Sequence, residues 1–351
     1  MKRSTSATFY ERLREEVARY ADGVHELGAP LTGPALAAVP PALRDFYASW
    51  DGARLFVDAW VIYPADELTP GDEGLVFGET GVGDALVLDD AGHVVRIEDD
   101  SGERLVEGTT FARWIEATVA AEEVFYDREG EFQEEVFDEQ GDEPRPEAVV
   151  KRETKYLRLD PTAPAPTWRL AQAQARLGRT REALRLLGDA IAADPGFAWA
   201  RFDLGRLLFS LGDHEAAERA FATAAATGGE HAAHFAAQAA RAAAARGAES
   251  ARAAHAAKTL ALAPDLVASQ RRAAAASLDD EAYDDARELV DLGLAVSPRD
   301  LELLDLRRRL PPPAPPKPPR PEKPAQAAAK PSKASKLSKP SKPSKPSSRR
   351  T

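Results

Sequence analysis

The sequence predicts an α+β domain, then an all-α solenoid, then a disordered tail, on three observations. From about residue 160 landmarks return at steps of 34 or 35 residues: Asp160-Pro161, Asp194-Pro195, Gly228-Gly229, Ala263-Pro264 and Ser297-Pro298. Before that point, apolar residues at helical spacing flank β-branched and aromatic runs broken by Gly and Asp. After Leu310 the composition turns to Pro, Lys and Ser, which cannot bury a core. The expected boundaries are 1–143 for the α+β domain, 144–163 for a linker and leading helix, 164–310 for the repeats with a capping helix, and 311–351 for the tail.

In the first region, Phe9, Leu13, Val17, Tyr20, Val24 and Leu27 keep helical spacing, so a helix is expected over 9–28, ended by Gly28, Pro30, Gly33 and Pro34. Pro40-Pro41 opens a short helix carrying Leu43, Phe46, Tyr47 and Trp50, and Asp51-Gly52 stops it. The apolar run 55–63 reads as strand, with a shorter segment at 75–78. Leu86-Val87-Leu88, a turn at 89–92 and Val94-Val95-Arg96-Ile97 read as a hairpin. Helix returns over 109–125, with Phe111, Trp114, Ile115 and Val119 on one face. Helices flanking an antiparallel or mixed sheet make the α+β domain.

The residues Val39-Pro40-Pro41-Ala42-Leu43-Arg44-Asp45-Phe46-Tyr47 followed by Trp50-Asp51-Gly52, the Ile62-Tyr63-Pro64 segment with Leu68, the Gly83-Asp84 strand opening, and Phe111 with Trp114 resemble the SUKH superfamily. That superfamily holds the fungal cell-wall-assembly regulator and many bacterial immunity proteins. The resemblance covers about residues 10–125, with Asp51 where the family usually has Asn and Val39 where it usually has Leu. It implies that Pro40, Phe46, Trp50, Asp51, Gly52, Gly83, Asp84, Phe111 and Trp114 are structural positions. It further implies a protein partner, often a toxin domain, and no shared catalytic set.

Charge divides the chain in the same three places. Residues 1–150 carry a net −22, residues 151–310 a net +1, and residues 311–351 a net +10. An acidic head of this size repels nucleic acid and anionic lipid, so any such contact falls to the tail. The chain has no cysteine, which excludes disulfides, thiol nucleophiles and thiolate-bound zinc. No apolar segment follows Met1-Lys2-Arg3 as a secretory signal requires, and none is long enough to span a bilayer, so a soluble, cytoplasmic protein is expected.

Candidate sites fall to plainer readings. Acidic residues dominate 122–143, where Asp127, Glu129, Glu131 and Asp138 approximate a calcium loop, but Phe132 occupies the position that needs glycine. A solvated acidic face or a docking patch for a basic partner is the better reading. Asp84, Asp89, Asp90, Asp99, Asp100 and Glu103 stand beside glycines and read as turn residues bonding local amides. Glu79-Thr80-Gly81-Val82-Gly83 lacks the lysine of a phosphate loop. His231 and His234 share a helical face but have no evident third ligand for zinc. No catalytic residue, metal site or cofactor is expected, and the protein reads as a non-enzyme.

Within the repeats, Gly178, Gly212 and Gly247 mark one turn, Ala183, Ala217 and Ala286 one helix, and Leu187, Phe221 and Val290 follow four residues later. With Leu170, Leu204, Gly205, Ala224 and Pro195, these positions resemble the tetratricopeptide repeat, whose paired helices bury their apolar faces only by stacking. The resemblance implies that the first helix of each pair lines a concave groove. Trp168, Gln172 and Arg176 then share one face, as do Trp199, Phe202, Arg206 and Phe209, and aromatics beside Arg suit an acidic extended peptide. Core packing is the competing reading for the phenylalanines. The tail can touch nucleic acid only through phosphate charge, since no aromatics are interleaved with its lysines, and folding back on the net −22 head is an equal alternative. The expected function is protein–protein interaction, with a basic toxin domain or an acidic peptide as partner. The alternative is an adaptor contacting nucleic acid non-specifically through the tail.

Overall fold

The computed structural model describes residues 5–138 and 143–312; the tail expected from 311 onward lies almost wholly outside them. Helix α1 (Thr5–Val17) buries Tyr10, Leu13 and Val17 at steps of three and four. It ends there rather than continuing to 28, because Gly23 turns the chain through φ +90° into a short edge strand, β1 (Glu26–Leu27). Helices α2 (Gly33–Ala38) and α3 (Pro41–Tyr47) follow, α3 entered through Pro40 as its spacing predicts. Gly52 then takes φ +82°, and a Cβ there would stand 2.8 Å from the Ile62 carbonyl oxygen, so only glycine fits.

The run expected as one strand over 55–63 is a hairpin, β2 (Ala53–Leu55) and β3 (Trp60–Ile62), with Leu55 opposite Trp60. Its turn is unusual, since Phe56, Val57 and Asp58 hold left-handed φ values of 52°, 52° and 69°. Three contacts fix it: Phe56 N–H donates to His25 Nδ1 at 3.2 Å, Val57 N–H to the Val24 carbonyl at 3.0 Å, and Arg54 forks onto Asp58 at 2.7 and 2.6 Å. Strands β4 (Thr69–Gly71), β5 (Gly74–Thr80), β6 (Ala85–Leu88), β7 (Val94–Ile97) and β8 (Arg104–Gly108) complete the sheet. The order is β1-β2-β3-β5-β6-β7-β8, with β4 pairing β5, and every pairing is antiparallel. Helix α4 (Phe111–Glu122) packs Phe111, Trp114 and Ile115 onto Phe46, Phe77 and Leu86, and this aromatic core holds the head together. Burying each such ring is worth roughly 1.5–3 kcal/mol.

The helical part, within the described residues, comprises α5 (Pro146–Leu159), α6 (Pro164–Arg176), α7 (Thr180–Ala193), α8 (Ala198–Ser210), α9 (His214–Thr227), α10 (Ala232–Ala245), α11 (Glu249–Leu262), α12 (Leu266–Asp279), α13 (Tyr283–Val296) and the shorter α14 (Leu301–Arg309). Helix α5 leads, α6 to α13 form four pairs, and α14 caps the end. The recurring Gly178, Gly212 and Gly247 close the first helix of each of the first three pairs at φ +74°, +82° and +72°. The fourth pair puts Glu281 into that left-handed slot at φ +61°. Gly205 allows α8 to meet α9 closely, since a Cβ there would lie 2.6 Å from the buried Phe221 ring. In the Ala-rich third pair, Ala236, Ala239 and Ala242 of α10 are fully buried, so helix approach replaces side-chain bulk.

The stacking changes at the end. First helices α8 and α10 each pack on the second helix of the preceding pair, but α13, not α12, lies against both α10 and α11. Leu292 and Val296 join Ala237 and Ala256, Arg241 pairs with Glu288 at 3.0 Å, and Arg252 donates to the Ala295 carbonyl at 2.7 Å. From α12, the first turn reaches that cluster through Leu266 and Val267.

Candidate functional site: a repeat groove met by the head

The predicted groove residues divide by environment. Arg176 and Arg206 are more than half exposed, at 58% and 61%, and line a cleft of about 450 Å³ with Gln172, Asp203 and Leu207. Arg176 reaches Glu143 at 3.1 Å, and Arg206 stands 3.7 Å from Asp203. Asp203 also accepts from Trp168 Nε1 at 2.7 Å and Gln172 Nε2 at 2.8 Å, so one carboxylate ties α6 to α8. Phe202 is only 6% exposed and packs on Phe221 and Phe235, which places it in the core. Phe209 is half-buried, with the Arg241 guanidinium 4.7 Å from its ring centre.

Trp199 lies against His231 and Phe235, beside Glu103 from the turn before β8. Desolvation raises the Glu103 carboxyl above its usual range, while the neighbouring His231 and Trp199 oppose the shift. Leu105 packs with Ala165, Leu170 and Phe197. The head therefore meets the first turns of α6 and α8. His231 and His234 rest on the Trp199 and Phe202 rings. Among the described residues no cluster of potential metal ligands occurs.

A line of buried charge joins the two halves, and sequence reasoning missed it. Asp84 meets Arg96 at 2.6 Å, and Arg96 meets Glu107 at 3.0 Å. Glu107, 1% exposed, takes two hydrogen bonds of 2.8 Å from Arg169 of α6. Arg169 continues to Glu153 of α5 at 3.0 Å, and Arg152 bridges Glu153 to Glu122 of α4. Burial alone would raise the Glu107 carboxyl, but Arg169 and then Arg96 outweigh it and bring it down to about 2. Beside this line, the fully buried Asp160 accepts from Thr109 N–H and Oγ1, each at 2.7 Å, and Tyr156 OH donates to the Glu107 carbonyl at 2.7 Å. Asp84, expected as a turn residue bonding local amides, does accept weakly from Asp99 N–H at 3.3 Å, but its stronger contact is the arginine. A Glu at an inward position of a strand was the one available signal.

The remaining motif positions of the head are structural in their surroundings. Phe46, Trp50, Phe111 and Trp114 are buried, Pro40 caps α3, and Gly83 turns at φ +93°. Asp51 accepts from Ala65 N–H at 2.8 Å, a bond that an Asn carbonyl would make equally. In the acidic segment, Asp127 accepts from the Glu129 and Glu131 amides at 3.0 and 2.9 Å, as a turn carboxylate does. No helix among the described residues is long and apolar enough to cross a membrane.

The solved structures to which the chain is similar include two repeat proteins. YrrB, described as a TPR protein with an unusual peptide-binding site, is 18% identical at a TM-score of 0.33, covering 46% of this chain and 84% of that one. TTC0263, a thermophilic TPR protein in Thermus thermophilus, is 22% identical at a TM-score of 0.32, covering 47% and 91%. No curated protein matches the chain. A tetratricopeptide-repeat family model matches residues 176–242. Over residues 176–242 the helix pairs of the C-terminal part therefore match the tetratricopeptide repeat, a module that generally mediates contacts between proteins.

Proposed function

We propose that the protein is a non-enzymatic, cytoplasmic interaction protein in which a SUKH-like head binds a protein partner and the repeats present a second binding surface. The observation that carries this reading is the pair of exposed guanidinium groups, Arg176 and Arg206, on adjacent first helices beside the cleft at Gln172 and Leu207. Each already has a carboxylate neighbour, so an acidic partner peptide binds by exchanging Glu143 and Asp203 for its own groups. Toxin neutralisation is the specific version favoured by the SUKH resemblance, with the net −22 of residues 1–150 steering a basic toxin domain. Arg176→Glu with Arg206→Glu should weaken capture of acidic partner proteins by the full chain while leaving the melting temperature nearly unchanged. Unchanged capture in that variant removes the groove from the proposal.

A second reading, contact with nucleic acid, rests on the basic residues of 311–351, which follow the exposed Arg307 and Arg308 at the end of α14. Deleting 311–351 separates the two readings, since loss of all partner binding would favour nucleic-acid contact.

A further inference from the structure

Three segments of the head converge beside its strained turn. Ala21 N–H donates to the Arg128 carbonyl at 2.7 Å, and Val57 N–H to that of Val24 at 3.0 Å. A Cβ on Gly130 would touch Val24 at 2.8 Å and Val57 at 3.1 Å, so the 127–131 turn lies directly on both valines. The convergence leaves apolar groups in solvent. Val57 is 61% exposed, held outward by a left-handed backbone that β-branched residues rarely adopt. Phe132 is 57% exposed, with its ring 4.7 Å from Tyr126 and 5.1 Å from Phe137. The Tyr126 ring continues inward to Phe56, so Phe132 is the outer rung of a rigid aromatic stack rather than a loose side chain.

The surroundings are mostly carboxylates. Glu129, Glu131, Glu134 and Glu135 are exposed, and their side chains have no partner among the described residues. Glu123 differs, being paired with Lys155 at 2.6 Å. A cleft of about 760 Å³ runs from Tyr20 past Tyr126 to Phe132, and Glu129, Glu134 and Glu135 line it together with Arg19 and Arg128. Aromatic area bordered by a surplus of unpaired carboxylates is the arrangement of an interaction hot spot, where the ring supplies affinity and the rim selects the charge of the partner.

We infer that Phe132 and Val57, with the carboxylates around them, form the surface on which the head receives a basic protein segment, one apolar side chain seated on Phe132 and flanking Lys or Arg residues against Glu129, Glu131, Glu134 and Glu135. This rests on the proposal that the head binds a basic partner, and apart from Val57 it places that contact in a stretch beyond residue 125, outside the SUKH resemblance. Calcium is the poorer occupant, because Asp127, the carboxylate best placed to begin a loop, is engaged by two backbone amides.

The test is fluorescence anisotropy of the full chain with a labelled peptide of Lys-Pro-Leu-Arg repeats, and with its counterpart carrying Glu for Lys and Arg. Binding of the basic peptide should weaken about tenfold in Phe132→Ser and again in Glu134→Lys with Glu135→Lys, and should fade as salt rises. The groove variant Arg176→Glu with Arg206→Glu should bind it as tightly as the parent. Equal binding by parent and both patch variants overturns this surface while leaving a basic partner for the head in place. No binding of the basic peptide by the parent, or preference for the acidic one, overturns both. All substituted side chains are exposed, and circular dichroism verifies that each variant folds.

Discussion

Glu107 on β8 and Arg169 on α6 share two parallel hydrogen bonds of 2.8 Å, with the carboxylate 1% exposed, and this pair fastens the sheet to the first repeat. Its worth lies in completeness, because a buried carboxylate stripped of its guanidinium keeps the desolvation penalty and loses the compensation. Arg169→Met should therefore destabilise the chain by about 3–5 kcal/mol, and Glu107→Leu combined with Arg169→Met by clearly less. Urea unfolding of the two singles and the double measures the difference. Since head and repeats belong to one compact unit, both tryptophan fluorescence and helical circular dichroism should report one transition.

Acid should loosen the head in two stages. Burial lowers the His25 pKa from 6.5 to about 4, so between those values the unfolded chain binds the extra proton and stability falls as pH falls through the window. Glu107, ordinarily near 4.5, is held at about 2, so its contribution is intact above 4.5 and lost as pH drops from 4.5 towards 2. His25→Asn keeps an acceptor for Phe56 N–H without titrating there, and should flatten the upper stage alone. Urea midpoints across both windows measure this, and an unaltered upper stage in the variant would assign it to another group.

Glu281 occupies the left-handed position that Gly178, Gly212 and Gly247 fill elsewhere. A non-glycine residue there costs roughly 1–2 kcal/mol of backbone strain. Glu281→Gly should raise stability by about 1 kcal/mol after the added freedom of the unfolded chain is subtracted. A lower melting temperature in that variant would show that the Glu281 side chain does something the geometry does not display.

Gly205→Ala tests close approach in the opposite sense. Alanine improves helix propensity by about 1 kcal/mol, but its Cβ would sit 2.6 Å from the Phe221 ring, which is 1% exposed and cannot move aside. Overpacking of about 1–3 kcal/mol should win, lowering the melting temperature. Phe221→Leu in the same chain should restore part of the loss.

Local signals carried much of this fold. The glycine recurrence is legible because a left-handed helix end admits few other residues, and the repeat length follows from it. The β6–β7 hairpin and the α3 entry through Pro40 are legible for similar reasons. The helix expected to 28 fails because its spacing persists by coincidence past Gly23, and the strand over 55–63 fails because apolar content alone cannot reveal a left-handed turn at Phe56. The line from Asp84 to Glu122 shows in the sequence only as a lone Glu at an inward strand position, since its members come from strands and helices far apart in sequence. For the groove, periodicity grouped Trp168 with Arg176 and Phe202 with Arg206, but only packing separates the buried Phe202 from the open Arg206.

The exchange of α13 for α12 against α10 and α11 sets the length of the array. An ordinary stack ends on a surface able to accept one more unit, so its size is a matter of how many copies the chain supplies. Here the seat next to the third pair is taken by a helix running in the wrong place within its own pair, while the sheet occupies the opposite end. A further unit added after residue 296 would first have to displace α14, which packs on α12 and α13, whereas a copy inserted between α9 and α10 would meet the second-helix-to-first-helix contact already used there.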